Sequence, residues 1–315
     1  MTIRPFTDAD LGDAAALLAE RHARHRSSEP LLPAIEDFRA QVEQDWQRAG
    51  ASGVVAIADG KVVGYLVGAP REDPAWGPNT WVELAGHAAK EPEVVRDLYA
   101  GVAEDWVGDA RTRHYALVPA SDHVLVDAWF RLGFGAQHAM GIREVPQTPA
   151  SPPLSGVTIR SGRAEDVEAA EALGSALNRH QSLSPVFSSF AVEDPEAFQA
   201  EWLEEVADPE AAVLVAEQDG RLMSLFTVAP IEYSTVHTGL SRPERACILG
   251  YAATLPEARG TGVGVALTEA VFAWARERGY PTIVTDWRVT NLLSSRFWPR
   301  RGFRTTFLRL YRSIP

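Results

Sequence analysis

Apolar positions in the last third of the chain follow helical and strand periods in turn. Val263, Leu267, Ala270, Val271 and Trp274 fall at i, i+4, i+7, i+8 and i+11, one face of a helix, while Thr268, Glu269, Arg276, Glu277 and Arg278 lie mostly elsewhere. Arg276, Arg278 and Gly279 close that helix with a cationic last turn and a left-handed cap, and Pro281 bars its continuation. A strand-like run at 247–254 precedes it, and a β-rich run at 282–287 follows. A short helix over 291–298, stopped by Pro299, and a last strand over 305–311 complete the pattern. The first half shows a matching strand at 81–87 and a helix built on Val94, Val95, Leu98, Val102 and Trp106.

The halves repeat one another. Ile3-Arg4 recurs as Ile159-Arg160, and each is followed by polar, Asp-containing residues and an alanine-rich helix. Arg24-His25-x-Ser27-x-x-Pro30 recurs as Arg179-His180-x-Ser182-x-x-Pro185. Asp59-Gly60-Lys61 recurs as Asp219-Gly220-Arg221, at hairpin turns between apolar strands. Trp129 with Gly133-Phe134 answers to Trp298 with Gly302-Phe303. Between the halves, residues 144–156 carry Pro146, Pro149, Pro152 and Pro153 with no apolar period, which reads as a stiff extended linker. A tandem duplication is expected, with domains at 1–145 and 156–315 joined through 146–155.

Composition narrows the class. With 315 residues, 46% hydrophobic and 23% charged, the chain can bury two cores. No apolar run approaches the roughly 18 residues needed to span a bilayer, and the first ten residues lack a signal core, so a cytoplasmic protein with no membrane partner is expected. One cysteine, Cys247, excludes an internal disulfide and cysteine-rich zinc sites. A formal charge of −12 argues against nucleic acid and mildly favours a cationic acceptor.

Arg259-Gly260-Thr261-Gly262-Val263-Gly264 stands between the 247–254 strand and the amphipathic helix. Three glycines within five residues admit a ligand close to the backbone, and the first N–H groups of the helix converge on it with the helix dipole behind them. A diphosphate suits that cradle. A dinucleotide fingerprint beginning at Gly260 would need glycine where Val265 stands. A P-loop would need Gly-Lys-Ser/Thr, and Lys90 is the one lysine between Val63 and Pro315. The run resembles instead the Gln/Arg-x-x-Gly-x-Gly/Ala loop of the GNAT acyltransferase superfamily, led by Arg259, with Gly262 and Gly264 in the fixed places and Pro256 upstream. Asn291 and Gly302-Phe303 resemble that family's closing motif.

The resemblance implies an α/β (α+β) fold of two tandem domains, each a twisted mixed β-sheet flanked by helices. It also implies acetyl-coenzyme A as acyl donor and no metal. Ala252, Ala253, Thr254, Arg259, Gly260, Thr261, Gly262, Val263, Gly264 and Asn291 would hold the coenzyme. In the first half the loop position reads Ala88-Ala89-Lys90-Glu91-Pro92-Glu93. Pro92 lacks an N–H, and Glu91 and Glu93 would satisfy the helix end and repel diphosphate, while Asp122 stands for Asn291. The first copy is therefore expected to have lost its coenzyme site and to buttress the second or shape its acceptor pocket.

Acyl transfer to an amine needs a proton acceptor. Asp286, in Asp286-Trp287-Arg288, stands where similar ribosomal-protein acetyltransferases carry a catalytic Glu; it reads equally as a strand-end carboxylate paired with Arg288. The family's acid is a tyrosine where this chain has Trp298, and an indole N–H cannot serve; Tyr251, Tyr233 and Tyr311 are the other phenols to consider. His22 and His25 lack a third metal ligand and read as surface or capping residues. His180 precedes Leu183, Val186, Phe187 and Phe190, which would border the acceptor opening. Trp202, Phe226, Tyr233 and Trp287 read as core. The leading expectation is an N-acetyltransferase acting on a small-molecule amine acceptor. A non-catalytic acyl-coenzyme A sensor and a peptide N-terminal acetyltransferase are the alternatives.

Overall fold

Matching ion pairs open the two halves. Both terminal nitrogens of Arg4 reach the Asp10 carboxylate, at 2.8 and 2.6 Å, and those of Arg160 reach Asp166 at 2.7 and 2.9 Å. Such a two-pronged bond locks the angle between a strand and the helix that follows. It holds both carboxyls below their usual range. The recurring Ile-Arg doublet is thus the visible end of a recurring clamp.

The computed structural model describes residues 1–188 and 194–315. One compact unit comprises Met1–Met140, Thr238–Arg242 and Thr305–Pro315; the other comprises Gly141–His237 and Pro243–Arg304. No helix among the described residues is long and apolar enough to cross a membrane.

The first unit runs β1 (Thr2–Pro5), α1 (Leu11–Ser28), α2 (Phe38–Trp46), β2 (Ser52–Ala58), β3 (Lys61–Gly68), β4 (Asn79–Val82), β5 (His87–Ala89), α3 (Val94–Gly108), β6 (Arg113–Pro119) and α4 (His123–Phe130), and the chain leaves it within β7 (Gly135–Glu144). Strands β1-β2-β3-β5 form an antiparallel sheet, whereas β4 pairs in parallel with β6. The single strand expected over 81–87 is therefore two, broken by the turn at 83–86. The apolar face of α3 (Val95, Leu98, Val102, Trp106) packs with Val54, Leu66 and Val118 in the core.

The second unit runs β8 (Thr158–Ser161), α5 (Val167–Ser182), α6 (Pro195–Ala207), β9 (Ala212–Gln218), β10 (Arg221–Pro230), β11 (Ala246–Thr254), α7 (Val263–Glu277), β12 (Thr282–Arg288) and α8 (Ser294–Arg300), before the final strand β13 (Arg304–Ser313). Its strands lie in the order β12-β11-β10-β9-β8, with β11 and β12 parallel and the rest antiparallel. Both predicted hairpin turns are present with left-handed backbone, at φ 52 and 73° for Asp59-Gly60 and 51 and 75° for Asp219-Gly220. The second unit is thus a mixed sheet flanked by helices, while the first divides its strands between the antiparallel β1-β2-β3-β5 sheet and a second sheet holding β4 and β6.

The ends of the halves are assigned differently from the sequence boundaries. Strand β13 pairs antiparallel with β6, from Phe307↔Pro119 to Ser313↔Arg113, and buries Phe307 and Leu310 in the first unit. Conversely, the proline-rich segment lies along α7 in the second unit. Arg276 donates to the Pro146 carbonyl at 2.9 Å, Ala150 N–H donates to Glu269 at 3.2 Å, and Leu154 lies beside Gly262. It is held to α7 by these contacts.

Candidate active site

Strands β11 and β12 are paired at only three positions, Ala246↔Thr282, Cys247↔Ile283 and Ile248↔Val284. The Thr285 hydroxyl then donates to the Leu249 carbonyl at 2.9 Å, and beyond this the two strands run on without ladder pairs. The cause is local. Between the pairs Val228↔Leu249 and Phe226↔Ala252, β11 carries one residue more than β10, a bulge at Gly250 and Tyr251. Tyr251 N–H donates to Thr227 Oγ1 at 2.9 Å, and a Cβ on Gly250 would lie 3.3 Å from that oxygen. A bulge bends its strand and increases its twist. The unpaired stretches are 250–254 on β11 and 286–288 on β12, and they open a split that carries Ala252, Ala253 and Thr254 on one side and Asp286 on the other.

The glycine segment lies at the end of that split. After a 3-10 turn over Pro256–Ala258, Gly260 takes φ +80° and Gly262, the N-cap of α7, takes φ +98°, a region that L side chains rarely adopt. No side chain caps the helix. The N–H groups of Val263, Gly264 and Val265, having no acceptor within the helix, face outward from its positive end. Arg259 is held to the strand by its Nε–H, which donates to the Thr254 carbonyl at 3.2 Å, and partial burial lowers its pKa. Phe297 lies against Gly264, where a Cβ would come within 3.5 Å of the ring. Thr261 bonds back to the Ala258 carbonyl at 2.8 Å, closing the turn. The fifteen-residue helix, its uncapped end and the left-handed glycines suit a diphosphate.

The remaining expected residues divide. Asp286 is half-buried and has partners of its own. Thr254 Oγ1 is engaged by Ser224 at 2.7 Å, and its carbonyl by Arg259. Asn291 is buried at the start of the α8 segment: its Oδ1 accepts from Leu293 and Ser294 N–H at 3.0 and 3.4 Å, which delays the helix from the expected 291 to Ser294, and from His180 at 3.1 Å. Trp298 is core, between Phe226, Phe297 and Phe303 with ring centroids 4.9 to 5.9 Å away. Of the three phenols, Tyr311 lies in the first unit, 5.0 Å from the Tyr115 ring, and Tyr233 is exposed, contrary to its expected place in the core. Tyr251 is at the bulge beside the split. Trp202, Phe226 and Trp287 are buried as expected, and Phe190 lies outside the described residues.

Residues 179–303 match the family model of acetyltransferases described as the GNAT family. This region resembles a GNAT acetyltransferase domain. No curated protein matches the chain. Among solved structures, the chain is similar to a GCN5-related N-acetyltransferase from Sphaerobacter thermophilus, at 19% identity and a TM-score of 0.61, covering 99% of this chain and 95% of that one. It is also similar to a tandem GNAT protein from the clavulanic acid biosynthesis pathway, at 16% identity and TM-score 0.50, covering 99% and 98%. A third similarity is to the glucosamine N-acetyltransferase region of a fungal multi-domain β-N-acetylglucosaminidase, at 15% identity and TM-score 0.53, covering 98% of this chain and 38% of that one. The fold of these structures therefore extends over the whole chain, in a tandem two-domain arrangement.

Within that arrangement the first copy differs from the second at the same register positions. Leu66↔His87 in the first sheet corresponds to Phe226↔Ala252 in the second, and Leu117 holds the β6 place that Asp286 holds on β12. His87 thus replaces a small alanine. Its Nε2–H donates to the Leu117 carbonyl at 3.1 Å, spanning what is open in the second copy, and burial pushes its pKa down to about 3. The fully buried Arg21 guanidinium donates to the Leu84 and His87 carbonyls in the same place. Four residues, 90–93, join β5 to α3, against eight, 255–262, between β11 and α7. The glycine loop is therefore absent, a larger change than the substitutions read from sequence. Glu93 does not cap α3 either; it pairs with Arg96 and Arg131 at 2.5 and 2.6 Å. His22 and His25, expected at the surface, are buried, and His22 Nε2–H donates to the Pro33 carbonyl at 2.8 Å.

Three features were missed in the sequence: the closing of the first copy by Arg21 and His87, the bulge, and the His180–Asn291 bond. The strand-to-helix spacing signalled the first, Gly250 the second, and the repeated Arg-His-x-Ser the third.

Proposed function

We propose that the chain transfers an acetyl group from acetyl-coenzyme A to the amine of a small molecule, at one site in the second unit. The observation that carries this reading is the uncapped, glycine-lined N-terminus of α7 at the end of the β11–β12 split. Val263, Gly264 and Val265 N–H groups would hold the diphosphate, and the unpaired edge at Ala252, Ala253 and Thr254 would bind the extended arm. The coenzyme supplies a thioester, an activated acyl carbon. Asp286, across the split, takes one proton from the bound ammonium and so frees the lone pair that attacks the acyl carbon. As the nitrogen–carbon bond forms and the carbon–sulfur bond breaks, the nitrogen gives up its second proton to water, and the departing thiolate takes a proton from water, directly or through Tyr251, which water reprotonates; the products are the amide and the free thiol. Once the split is filled, water is excluded, which strengthens each of these interactions.

Trp298 supports a second reading. A buried indole in place of a phenol donates no proton to sulfur, as suits a chain that binds acyl-coenzyme A without turnover. Thiol release from acetyl-coenzyme A with a panel of amines, beside calorimetry of coenzyme binding, separates the two. The one cysteine does not confuse the readout, because Cys247 is buried and its thiol pKa is pushed up to about 12. Coenzyme binding with no thiol release across the panel would discard the enzyme reading in favour of the sensor.

A further inference from the structure

Helix α5 packs through Leu173 and Leu177 against the β9–β11 face that also carries Tyr251, and its last turn reaches beyond β12 through the bond from His180 Nε2–H to Asn291 Oδ1. Two segments meet at this bond. Residues 181–188 form a tight loop in which Ser188 N–H donates to the Gln181 carbonyl at 2.9 Å and Phe187 N–H donates to that of Leu183 at 3.0 Å. Residues 289–295 surround Asn291. These eight and seven residues include no Asp, Glu, Lys or Arg, in a chain that is 23% charged. They present Leu183, Phe187, Leu292 and Leu293 to solvent, at 58, 75, 47 and 46% exposure. Each segment also holds a buried polar atom with no partner, Gln181 Oε1 and Ser294 Oγ. Buried polar atoms are almost always bonded, so an unpartnered pair beside an open apolar rim points to a ligand with a polar head.

We infer that the acceptor is an amine with an uncharged, apolar body, its body against Leu183, Phe187, Leu292 and Leu293 and its polar head toward Gln181 and Ser294. A polycationic acceptor would find no carboxylate in either segment to offset the loss of its hydration. Apolar side chains that are 46 to 75% exposed instead gain by being covered. This inference rests on the acyltransfer reading for its direction of use, and the experiment separates them.

Hexylamine, 2-phenylethylamine, spermidine and kanamycin are compared on the full chain saturated with coenzyme A, with binding read by calorimetry, and thiol release from acetyl-coenzyme A is measured in parallel. Apolar amines are expected to bind about tenfold or more tightly than spermidine. Phe187→Asn, which the φ of +46° at this position tolerates, and Leu292→Ser should each weaken hexylamine by several-fold and leave coenzyme affinity unchanged. Apolar binding without thiol release would uphold the inference and overturn the enzyme reading. Thiol release that is best with spermidine or kanamycin, and unmoved by the two variants, would overturn the inference and uphold the enzyme. Binding of none of the amines would overturn it outright.

Discussion

His180 Nε2 lies 3.1 Å from Asn291 Oδ1, an oxygen that also accepts two backbone N–H groups. An amide oxygen in that position can only accept, so His180 Nε2–H is the donor. The bond joins the end of α5 to the turn after β12. It thereby ties α5 to the segment that follows Asp286 on β12.

If His180 acts by holding Asn291, the effect should follow the N–H donor and not the imidazole. His180→Ala should lower kcat/KM about tenfold, the value of one hydrogen bond to a partly buried group, with coenzyme affinity nearly unchanged. His180→Gln, whose amide nitrogen can reach the same oxygen, should recover most of the loss and keep the wild-type pH profile. A full-activity alanine variant would remove the positioning role. A glutamine variant as impaired as alanine would point to proton transfer through the ring.

Binding should occur once per chain. Only the second copy has the eight-residue connection and left-handed glycines, so calorimetry should give one coenzyme A. Gly262→Glu should abolish it, because the variant forces a side chain into φ +98° and places a negative charge at the diphosphate position. Two sites of similar affinity would end the one-site reading.

Opening the first copy should not restore it. His87→Ala with Arg21→Met removes both groups that close the split of the first copy, yet the connection before α3 remains four residues short and ends on Glu93. No second coenzyme site is expected, and the appearance of a micromolar one would show that His87 and Arg21 alone caused the loss.

Periodic patterns carried the fold well, because the apolar face of α7, the paired Asp-Gly turns and the Ile-Arg doublets are local determinants that survive in both copies. What was not legible involved long sequence separations. Nothing in the local composition at 305–311 marks it for β6, since pairing with β6 is decided by which core takes Phe307 and Leu310. The reach of His180 to Asn291 spans 111 positions, and the burial of His22 and His25 depends on packing that a helical period does not specify. The left-handed turn at Gly260 and Gly262 was legible because glycine spacing encodes backbone conformation directly.

Asp45 on α2 provides a pH test of stability. Its Oδ2 is buried without a partner, and burial, reinforced by the nearby Glu83 carboxylate, pushes its pKa from 3.8 up to about 7, against Arg48 and Arg71. The folded state therefore holds this proton more tightly than the unfolded chain between about pH 4 and 7. Stability from this group is present below that window and is lost as pH rises through it, by up to about 1.4 kcal/mol per pH unit. Asp45→Asn stays neutral, so the variant should be more stable than wild type by on the order of 2–4 kcal/mol at pH 8 and nearly equal to it at pH 4. His25 and His87, both held near 3 by burial, pull in the opposite sense but do so equally in both proteins. Denaturant midpoints measured at both pH values decide the matter; a difference that does not grow with pH would place the Asp45 carboxyl in contact with water.

Asp286 is the most direct test of the chemistry. It stands on β12 just past Thr285, whose hydroxyl makes the last bond across to β11, and so at the point where a thioester in the split would meet an incoming amine. General-base catalysis contributes about 10²- to 10⁴-fold, so Asp286→Asn, which preserves shape, should lower kcat by that order while coenzyme affinity holds. The loss should shrink as pH rises toward the acceptor's own pKa, because a growing share of the amine then arrives without the proton that Asp286 removes. A variant that keeps most of its activity at pH 7 would make Asp286 a structural carboxylate of the strand end. A kcat loss that is constant across the pH range would assign it to orienting the acceptor and not to carrying its proton.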